Sequence, residues 1–139
     1  MTLQATKNDA DWLSNLPVGW KKKRLKYVGG AIIGLTYSPD EIVGEGKGTP
    51  VLRANNLQNN KIDLNNLVHV SSPIPEKLRI RTGDIVICSR NGSRALIGKN
   101  ATATAEHEGM SFGAFTTVFR SKNSSYVGWV LNSSLFEYQ

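Results

Sequence analysis

The sequence predicts an α+β fold, with a twisted, mostly antiparallel sheet and short helices near both termini. Short segments rich in β-branched and aromatic residues recur along the chain, separated by Gly-, Asn- and Ser-rich turns, which is the pattern of antiparallel strands. Helical spacing of apolar residues occurs only towards the two ends. No stretch of linker composition divides the 139 residues, so we expect one domain over residues 1–139.

Two segments near the ends carry the helix signals. Residues 9–16 start with a good N-cap residue, Asp9, and place apolar side chains on one side of a short helix that residues 17–20 break. Residues 126–138 carry apolar side chains at positions 127, 130, 131, 135 and 136, a spacing close to that of a helix. We therefore expect a helix at each end.

The strands are expected between these helices. Apolar and β-branched runs predict strands over residues 50–57, 67–70, 84–89, 95–103 and 112–120. Asn59 and Asn60 are expected at the tip of a hairpin, because asparagine tolerates positive φ. Residues 38–40 (SPD) predict a turn or the start of a helix, and residues 44–48 a Gly-rich loop.

Composition and charge set the class of partner. Hydrophobic residues make up 40% of the chain and charged residues 20%, a globular composition. The net charge of +6 suits a polyanion, because neutralised phosphates release counterions, although charge alone is weak evidence. No apolar run is long enough to cross a bilayer, and residues 1–11 lack a signal-peptide core. With a lone cysteine, Cys88, we expect a cytoplasmic protein without disulfides.

Several short blocks occur in an order typical of one family. Residues 11–28 contain a Trp-Leu pair, a Pro-x-x-Trp step (PVGW) and an Arg-Leu step, and residues 34–39 (GLTYSP) follow. Later blocks are residues 50–57 (PVLRANNL), 83–88 (GDIVIC), 89–93 (SRNGS), 97–99 (IGK) and 112–115 (FGAF). In this order the chain resembles the specificity subunit of type I restriction-modification systems, with Leu57 where the family's "LRxxNI" segment has Ile.

The resemblance implies a non-catalytic target recognition domain. Such a domain would read one half of a bipartite site in double-stranded DNA. It would direct a methyltransferase subunit and, in the full complex, a restriction subunit to that site. A complete specificity subunit has two such domains and long helical spacers, whereas we expect this chain to hold one domain and no spacer.

The loop at residues 89–94 supplies the first candidate DNA contacts. Direct reading of a duplex needs forked donors, Arg for guanine and Asn or Gln for adenine, presented in the major groove. The candidates in this loop are Ser89, Arg90, Asn91, Ser93 and Arg94. On spacing alone, a hairpin turn with solvated arginines explains the loop equally well. The family resemblance favours DNA contact.

Other candidates come from hydroxyl groups and lysines. Thr36, Tyr37 and Ser38 offer hydroxyls for phosphates and a ring for sugar or base, or else form a capped turn with a half-buried tyrosine. Lys22, in the basic cluster at 21–26, and Lys99, in a stretch free of acids, are expected to contact phosphates or to be solvated.

Some polar and aromatic residues favour structural roles. Arg53 and its neighbours Asn55 and Asn56 could reach bases, but an Arg within an apolar run beside chain-turning Asn residues is more often structural. The three phenylalanines of the last predicted strand are expected in the core or facing a partner, and base stacking is less expected with a duplex. They are Phe112, Phe115 and Phe119.

Two other functions remain as alternatives. Residues 39–40 (PD) and 45–47 (EGK) match the PD…E-x-K signature of metal-dependent nucleases, but the separation is too short for two adjacent strands, so we interpret it as a chance match. His69 and His107 have no second ligand at metal spacing, and no phosphate loop, nucleophile elbow or methyltransferase motif is present, so we expect no metal or cofactor. A truncated half-subunit that self-associates or acts as an interaction or inhibitory module is the second alternative.

Overall fold

The computed structural model describes residues 15–133, and in this range the chain forms ten short strands and one α-helix. The helix, α1, spans Ser124–Leu131. The strands are β1 Gly30–Ile33, β2 Ile42–Val43, β3 Thr49–Leu52, β4 Leu57–Gln58, β5 Lys61–Ile62, β6 Val68–Val70, β7 Ile85–Cys88, β8 Asn100–Thr102, β9 Ser111–Phe112 and β10 Thr116–Arg120. Six 3-10 turns connect them, at Leu25–Tyr27, Pro39–Glu41, Ala54–Asn56, Glu76–Leu78, Arg94–Leu96 and Ala105–His107.

Two four-stranded sheets make up most of the domain. One is antiparallel throughout, with strand order β1-β10-β7-β8. The other has the order β2-β6-β3-β9, and its β3–β9 pair is parallel. The expected α+β class with a largely antiparallel sheet is confirmed, with one parallel pairing that the sequence did not predict.

The antiparallel sheet packs on both of its faces, which follows from the two-residue period of a strand. Val86 and Val118, paired across β7 and β10, lie in the main core between the two sheets. Their neighbours Ile85 and Phe119 point the other way and pack with Val127 of α1. The helix therefore covers the outer face of the first sheet.

Three predicted strands are shorter than expected. The strand predicted over 50–57 ends at Leu52, where the chain turns through Ala54–Asn56. Only Asn100–Thr102 of residues 95–103 pairs, because Arg94–Leu96 forms a 3-10 turn and Gly98 has φ +94°. The strand predicted over 112–120 is two strands separated by a turn.

The other local predictions fare better. The hairpin tip is confirmed, with φ of 52° at Asn59 and 59° at Asn60 between β4 and β5. The final helix is confirmed, although it begins at Ser124, two residues earlier than predicted, and ends at Leu131. The helix predicted over 9–16 lies almost wholly outside the described residues. None of the described helices is long and apolar enough to cross a membrane.

Candidate nucleic-acid interface

Three separate stretches of the chain meet at one backbone junction around Gly113. The Leu35 N–H donates to the carbonyl of Phe112 at 2.7 Å, and the Gly113 N–H donates to the carbonyl of Leu52 at 2.9 Å. The segments that follow these residues therefore leave the junction side by side. Residues 36–38, 53–56 and 114–115 become neighbours in this way, although they are far apart in sequence.

The junction depends on a close backbone contact. A Cβ atom built on Gly34 would lie 2.0 Å from the carbonyl oxygen of Gly113, far inside van der Waals contact. The Gly34 N–H also donates to the carbonyl of Thr116 at 3.2 Å. Glycine at position 34 thus allows the two strands to approach closely enough for the loops to converge.

A fourth stretch, the loop after β7, is attached to the same junction by one carbonyl group. The Phe115 carbonyl accepts the N–H groups of Ser89 and Arg90, each at 3.1 Å, and the Ser89 hydroxyl at 3.1 Å. The Thr117 hydroxyl donates to the Ser89 oxygen at 3.0 Å. The side chain of Ser89, a candidate DNA contact, is therefore engaged in holding the loop.

The four stretches enclose an open groove of about 940 Å³. The residues lining it are Leu35, Thr36, Tyr37, Arg53, Ala54, Asn55, Arg90, Asn91, Gly92, Gly113, Ala114, Phe115 and Thr116. None of these side chains is acidic and two are arginines, so the groove carries positive charge. We call it the loop groove. Four of the candidate contacts line it: Thr36, Tyr37, Arg90 and Asn91.

Arg90 is the candidate contact with the firmest backbone and the freest side chain. Its N–H is held by the Phe115 carbonyl, and its own carbonyl accepts the Cys88 thiol at 3.7 Å. The side chain is exposed, and its guanidinium makes no hydrogen bond or ion pair within residues 15–133. A forked donor on a fixed backbone can contact a guanine edge or a phosphate without first breaking a protein contact.

The rest of this loop is arranged differently. The Asn91 Oδ1 accepts the Ser93 N–H at 2.9 Å, which occupies the oxygen. Reading adenine with both amide atoms requires that bond to open. Ser93 and Arg94 are exposed and precede or begin a 3-10 turn, outside the lining of the groove.

The segment at 36–38 combines the two interpretations offered by its sequence. Thr36 is exposed and Tyr37 half-buried, and both line the loop groove. Ser38 instead caps the 3-10 turn Pro39–Glu41, with its N–H and hydroxyl both donating to the Glu41 carboxylate. Together with the Ser72 hydroxyl, which contributes most, these bonds hold the pKa of Glu41 below its ordinary value.

The two candidate lysines do not line the groove. Lys22 is exposed in the extended segment before the first 3-10 turn, and Lys99 is half-buried at the base of the 89–94 loop. The Lys99 carbonyl accepts the Cys88 N–H at 2.8 Å. Burial raises the pKa of the Cys88 thiol, and the Lys99 ammonium opposes this rise. Lys22 and Lys99 are therefore placed for contacts outside the groove.

Arg53 and the two neighbouring asparagines divide between scaffold and groove. Asn56 is fully buried, and its amide accepts the Arg53 N–H and donates to the carbonyls of Asp63 and Asn65. Arg53 Nη2 donates to a backbone carbonyl at 3.0 Å, yet Arg53 and Asn55 line the groove. The structural interpretation holds for Asn56, whereas Arg53 both bonds the backbone of the scaffold and lines the groove.

The three phenylalanines divide between the core and an exposed position, the two alternatives that the sequence left open. Phe112 and Phe119 are buried, as expected, but Phe115 is 65% exposed and lines the groove. It sits in a turn closed by the Thr116 N–H, which donates to the Gly113 carbonyl at 2.9 Å. Gly113, two residues before Phe115, is a turn signal inside the predicted strand and was the one sequence feature that indicated this exposed position.

The nuclease alternative finds no geometric support. Asp40 lies in a 3-10 turn, while Glu45 and Lys47 are exposed in the Gly-rich loop rather than on a neighbouring strand. Among residues 15–133, no group of three or more His, Cys, Asp or Glu side chains is arranged to hold a metal ion.

Comparison with known proteins identifies the relatives of this chain. The chain is 35% identical over 127 residues to the type I restriction enzyme EcoKI specificity subunit of Escherichia coli (strain K12). It is 33% identical over 127 residues to the StySPI specificity subunit of Salmonella potsdam. The chain is a homologue of type I specificity subunits. Each alignment includes 87% of this chain but 27% of the relative, so the chain spans about a quarter of the relatives' length.

Solved structures agree on the fold. The HsdS subunit from Thermoanaerobacter tengcongensis superposes with a TM-score of 0.68 at 20% identity, over 88% of our chain and 30% of the HsdS chain. A chain from a structural study of type I R-M complex assembly and conformational transition gives a TM-score of 0.66 at 21% identity, over 84% and 28% of the two chains. No protein-family model matches the sequence. The predicted resemblance is confirmed.

Proposed function

We propose that this chain is a target recognition domain that reads one half of a bipartite site in double-stranded DNA. The single observation that carries the proposal is the convergence of two DNA-contact candidate segments, far apart in sequence, at one groove. Arg90 and Asn91 lie on one wall, Thr36 and Tyr37 on another, and no acidic side chain lines the space between them. The arginines of the groove, with no acid among its lining residues, suit a polyanionic ligand.

The contacts have two different roles in this proposal. Arg90 provides direct base reading, because its forked donor is exposed on a backbone that hydrogen bonds hold on both sides. Thr36 and Tyr37 offer hydroxyl donors to phosphates at the rim of the groove. The cluster at 21–26, with Lys22, adds sequence-independent attraction along the duplex.

The chain acts without chemistry of its own in this proposal. The curated relatives are specificity subunits of restriction enzymes. By homology, this domain directs a methyltransferase subunit and a restriction subunit in the cytoplasm to its DNA site. It would do so as one recognition domain of a larger assembly or through pairing of two copies.

Selection from random duplexes tests the proposal. The chain, alone and with a methyltransferase subunit of a type I system, is incubated with random double-stranded DNA, and bound duplexes are sequenced. Enrichment of one short motif supports a recognition domain. Metal-dependent cleavage of DNA by the isolated chain would instead establish a nuclease.

Matched variants distinguish base reading from general attraction. Arg90→Ala is expected to cost about 1–3 kcal/mol of discrimination at one base pair. Arg90→Lys keeps the charge but removes the fork, so it should lose nearly as much discrimination while keeping non-specific affinity. Lys22→Ala should weaken all sequences equally and reduce the slope of log affinity against log salt by about one. Equal behaviour of the arginine and lysine variants would show that Arg90 reads no base.

A protein-interaction module remains the second candidate, and one surface favours it. On helix α1, Tyr126 is 60% and Trp129 81% exposed, and exposed aromatics of this kind anchor protein interfaces. If no duplex is enriched and the chain binds the methyltransferase subunit tightly, with loss of binding in Trp129→Ala, the interaction or inhibitory function is the correct one.

A further inference from the structure

The ring of Phe115 is mostly exposed and belongs to neither hydrophobic core of the described residues. It is 65% exposed, whereas the residues on either side of its turn, Gly113 and Thr116, are buried. The turn itself is fixed, because the Thr116 N–H and hydroxyl both donate to the Gly113 carbonyl, at 2.9 and 2.6 Å. A rigid turn therefore holds an apolar ring in the wall of a positively charged groove.

A DNA duplex offers few partners for such a ring. Among the base edges that face the major groove, the apolar group is the C5-methyl of thymine, and phenylalanine contacts with it are a known mode of direct reading. Stacking on a base requires an unpaired strand, and a wedge between base steps belongs to minor-groove binders. The neighbours of Phe115 in the groove, Arg90 and Asn91, carry the guanidinium and amide groups that suit major-groove edges.

We propose that Phe115 is a specificity-determining residue that contacts the methyl group of a thymine in the recognised half-site. This inference rests on the proposed function. Thr116 pairs with Cys88 across β10 and β7, so Phe115 lies opposite Ser89 and next to Arg90. Adjacent strands are about 4.8 Å apart and base pairs about 3.4 Å apart, so we expect the thymine to be close to the base read by Arg90.

Replacing thymine with uracil tests the contact, because uracil lacks only the C5-methyl. The 139-residue chain first selects its preferred duplex, and each thymine of that duplex is then changed to uracil in turn. For the wild-type chain, one uracil is expected to weaken binding about fourfold, the effect of one buried methyl, while the others change little. In Phe115→Ala the same uracil is expected to have no effect, since the methyl has lost its partner.

Two further variants keep the result interpretable. Phe115→Leu retains an apolar side chain and should keep part of the uracil effect. Trp129→Ala removes an exposed aromatic from helix α1, outside the groove, and should show the wild-type uracil effect. Thermal melting is expected to be unchanged in the Phe115 variants, because the ring is not in the core.

The outcomes distinguish a failure of the proposed function from a failure of the thymine contact alone. If the wild-type chain enriches no duplex, the proposed function fails and this inference falls with it. If a motif is enriched but uracil is equally harmless or equally harmful in wild type and Phe115→Ala, only the thymine contact is overturned. A Phe115→Ala loss that is the same on every sequence also overturns it, and indicates a wedge or a non-specific contact.

Discussion

Gly34→Ala provides the sharpest test of how the loop groove is built. The new Cβ would lie 2.0 Å from the Gly113 oxygen and 2.5 Å from the Phe112 oxygen, both backbone atoms that cannot rotate away. Carbon contacts need about 3.5 Å, so the strands must separate by more than roughly 1 Å. That movement breaks the Leu35–Phe112 hydrogen bond of 2.7 Å, on which the placement of Thr36 depends.

The energetic cost can be bracketed. Overpacking of a tight contact typically costs about 1–3 kcal/mol, and the lost backbone hydrogen bonds place this case near the upper end. For a domain of this size, a loss of about 3 kcal/mol corresponds to a fall in Tm of roughly 10 °C. Gly30→Ala, at the start of the strand that precedes Gly34, is the matched control, since a Cβ there meets nothing within 4 Å. Alanine is favoured over glycine in a strand by about 0.5–1 kcal/mol, so Gly30→Ala should raise Tm slightly.

Thermal melting followed by circular dichroism measures the Tm of both variants. DNA selection at a temperature where both are folded measures whether each variant still discriminates between sequences. We expect Gly34→Ala to melt about 10 °C lower, as estimated above, and to lose sequence discrimination even when folded, because its loops no longer converge. If Gly34→Ala melts within 2 °C of wild type, or if Gly30→Ala is equally destabilising, the junction is not what holds the groove together.

Three further predictions concern the scaffold. Arg120→Met should lower the free energy of unfolding in urea by about 3–5 kcal/mol, because it leaves the buried Asp84 carboxylate without the two guanidinium hydrogen bonds of 2.8 and 2.9 Å that it accepts. Adding Asp84→Asn to this variant should restore part of the lost stability. Glu41→Gln should lower Tm at neutral pH, and the Tm difference from wild type should shrink as the pH is lowered through the acidic range. A carboxyl with a lowered pKa stabilises the fold above its unfolded pKa and loses that effect as pH falls through its folded pKa. A Tm difference that does not change with pH would contradict this. Cys88, fully buried and with its pKa raised by burial, should react with a thiol reagent only as fast as the domain unfolds, and rapid labelling of the folded protein would contradict its placement.

Local signals predicted the elements that local forces determine. The strand predicted over 84–89 is observed at Ile85–Cys88, where four apolar or β-branched residues follow a glycine turn. The hairpin at Asn59 and Asn60 was equally accessible, because it depends only on the tolerance of asparagine for positive φ. In these places neighbouring residues alone carry enough information.

Long-range contacts decided the places where the sequence misled. The strand predicted over 50–57 is interrupted because the Asn56 amide is buried and bonds to the carbonyls of Asp63 and Asn65. Nothing in the run PVLRANNL indicates that those two carbonyls will be in reach. The same holds for Phe115, whose aromatic side chain reads as strand or core until the pairing of β9 with β3 places the chain in a turn.

The candidate site was predictable as separate loops but not as a groove. Composition and resemblance pointed to the segments containing Thr36 and Arg90, each from its own residues. Their meeting depends on bonds between residues 26 to 82 positions apart, such as Ser89 to Phe115 and Gly34 to Thr116. No periodicity or spacing within a segment reports such a pairing.

The hydrogen bonds of the groove separate the residues that hold it from those available to a ligand. Ser38, Ser89 and the oxygen of Asn91 are occupied by bonds that fix the loops, whereas Arg90 and Phe115 present exposed side chains on backbones that those bonds secure. A substitution at either exposed tip therefore leaves the scaffold bonds intact and should change base preference without changing Tm. A substitution at a scaffold residue should change both, because the loops and the fold share the same bonds. If the domain reads DNA as we propose, it can acquire a new target sequence through these exposed side chains, at little cost to its stability.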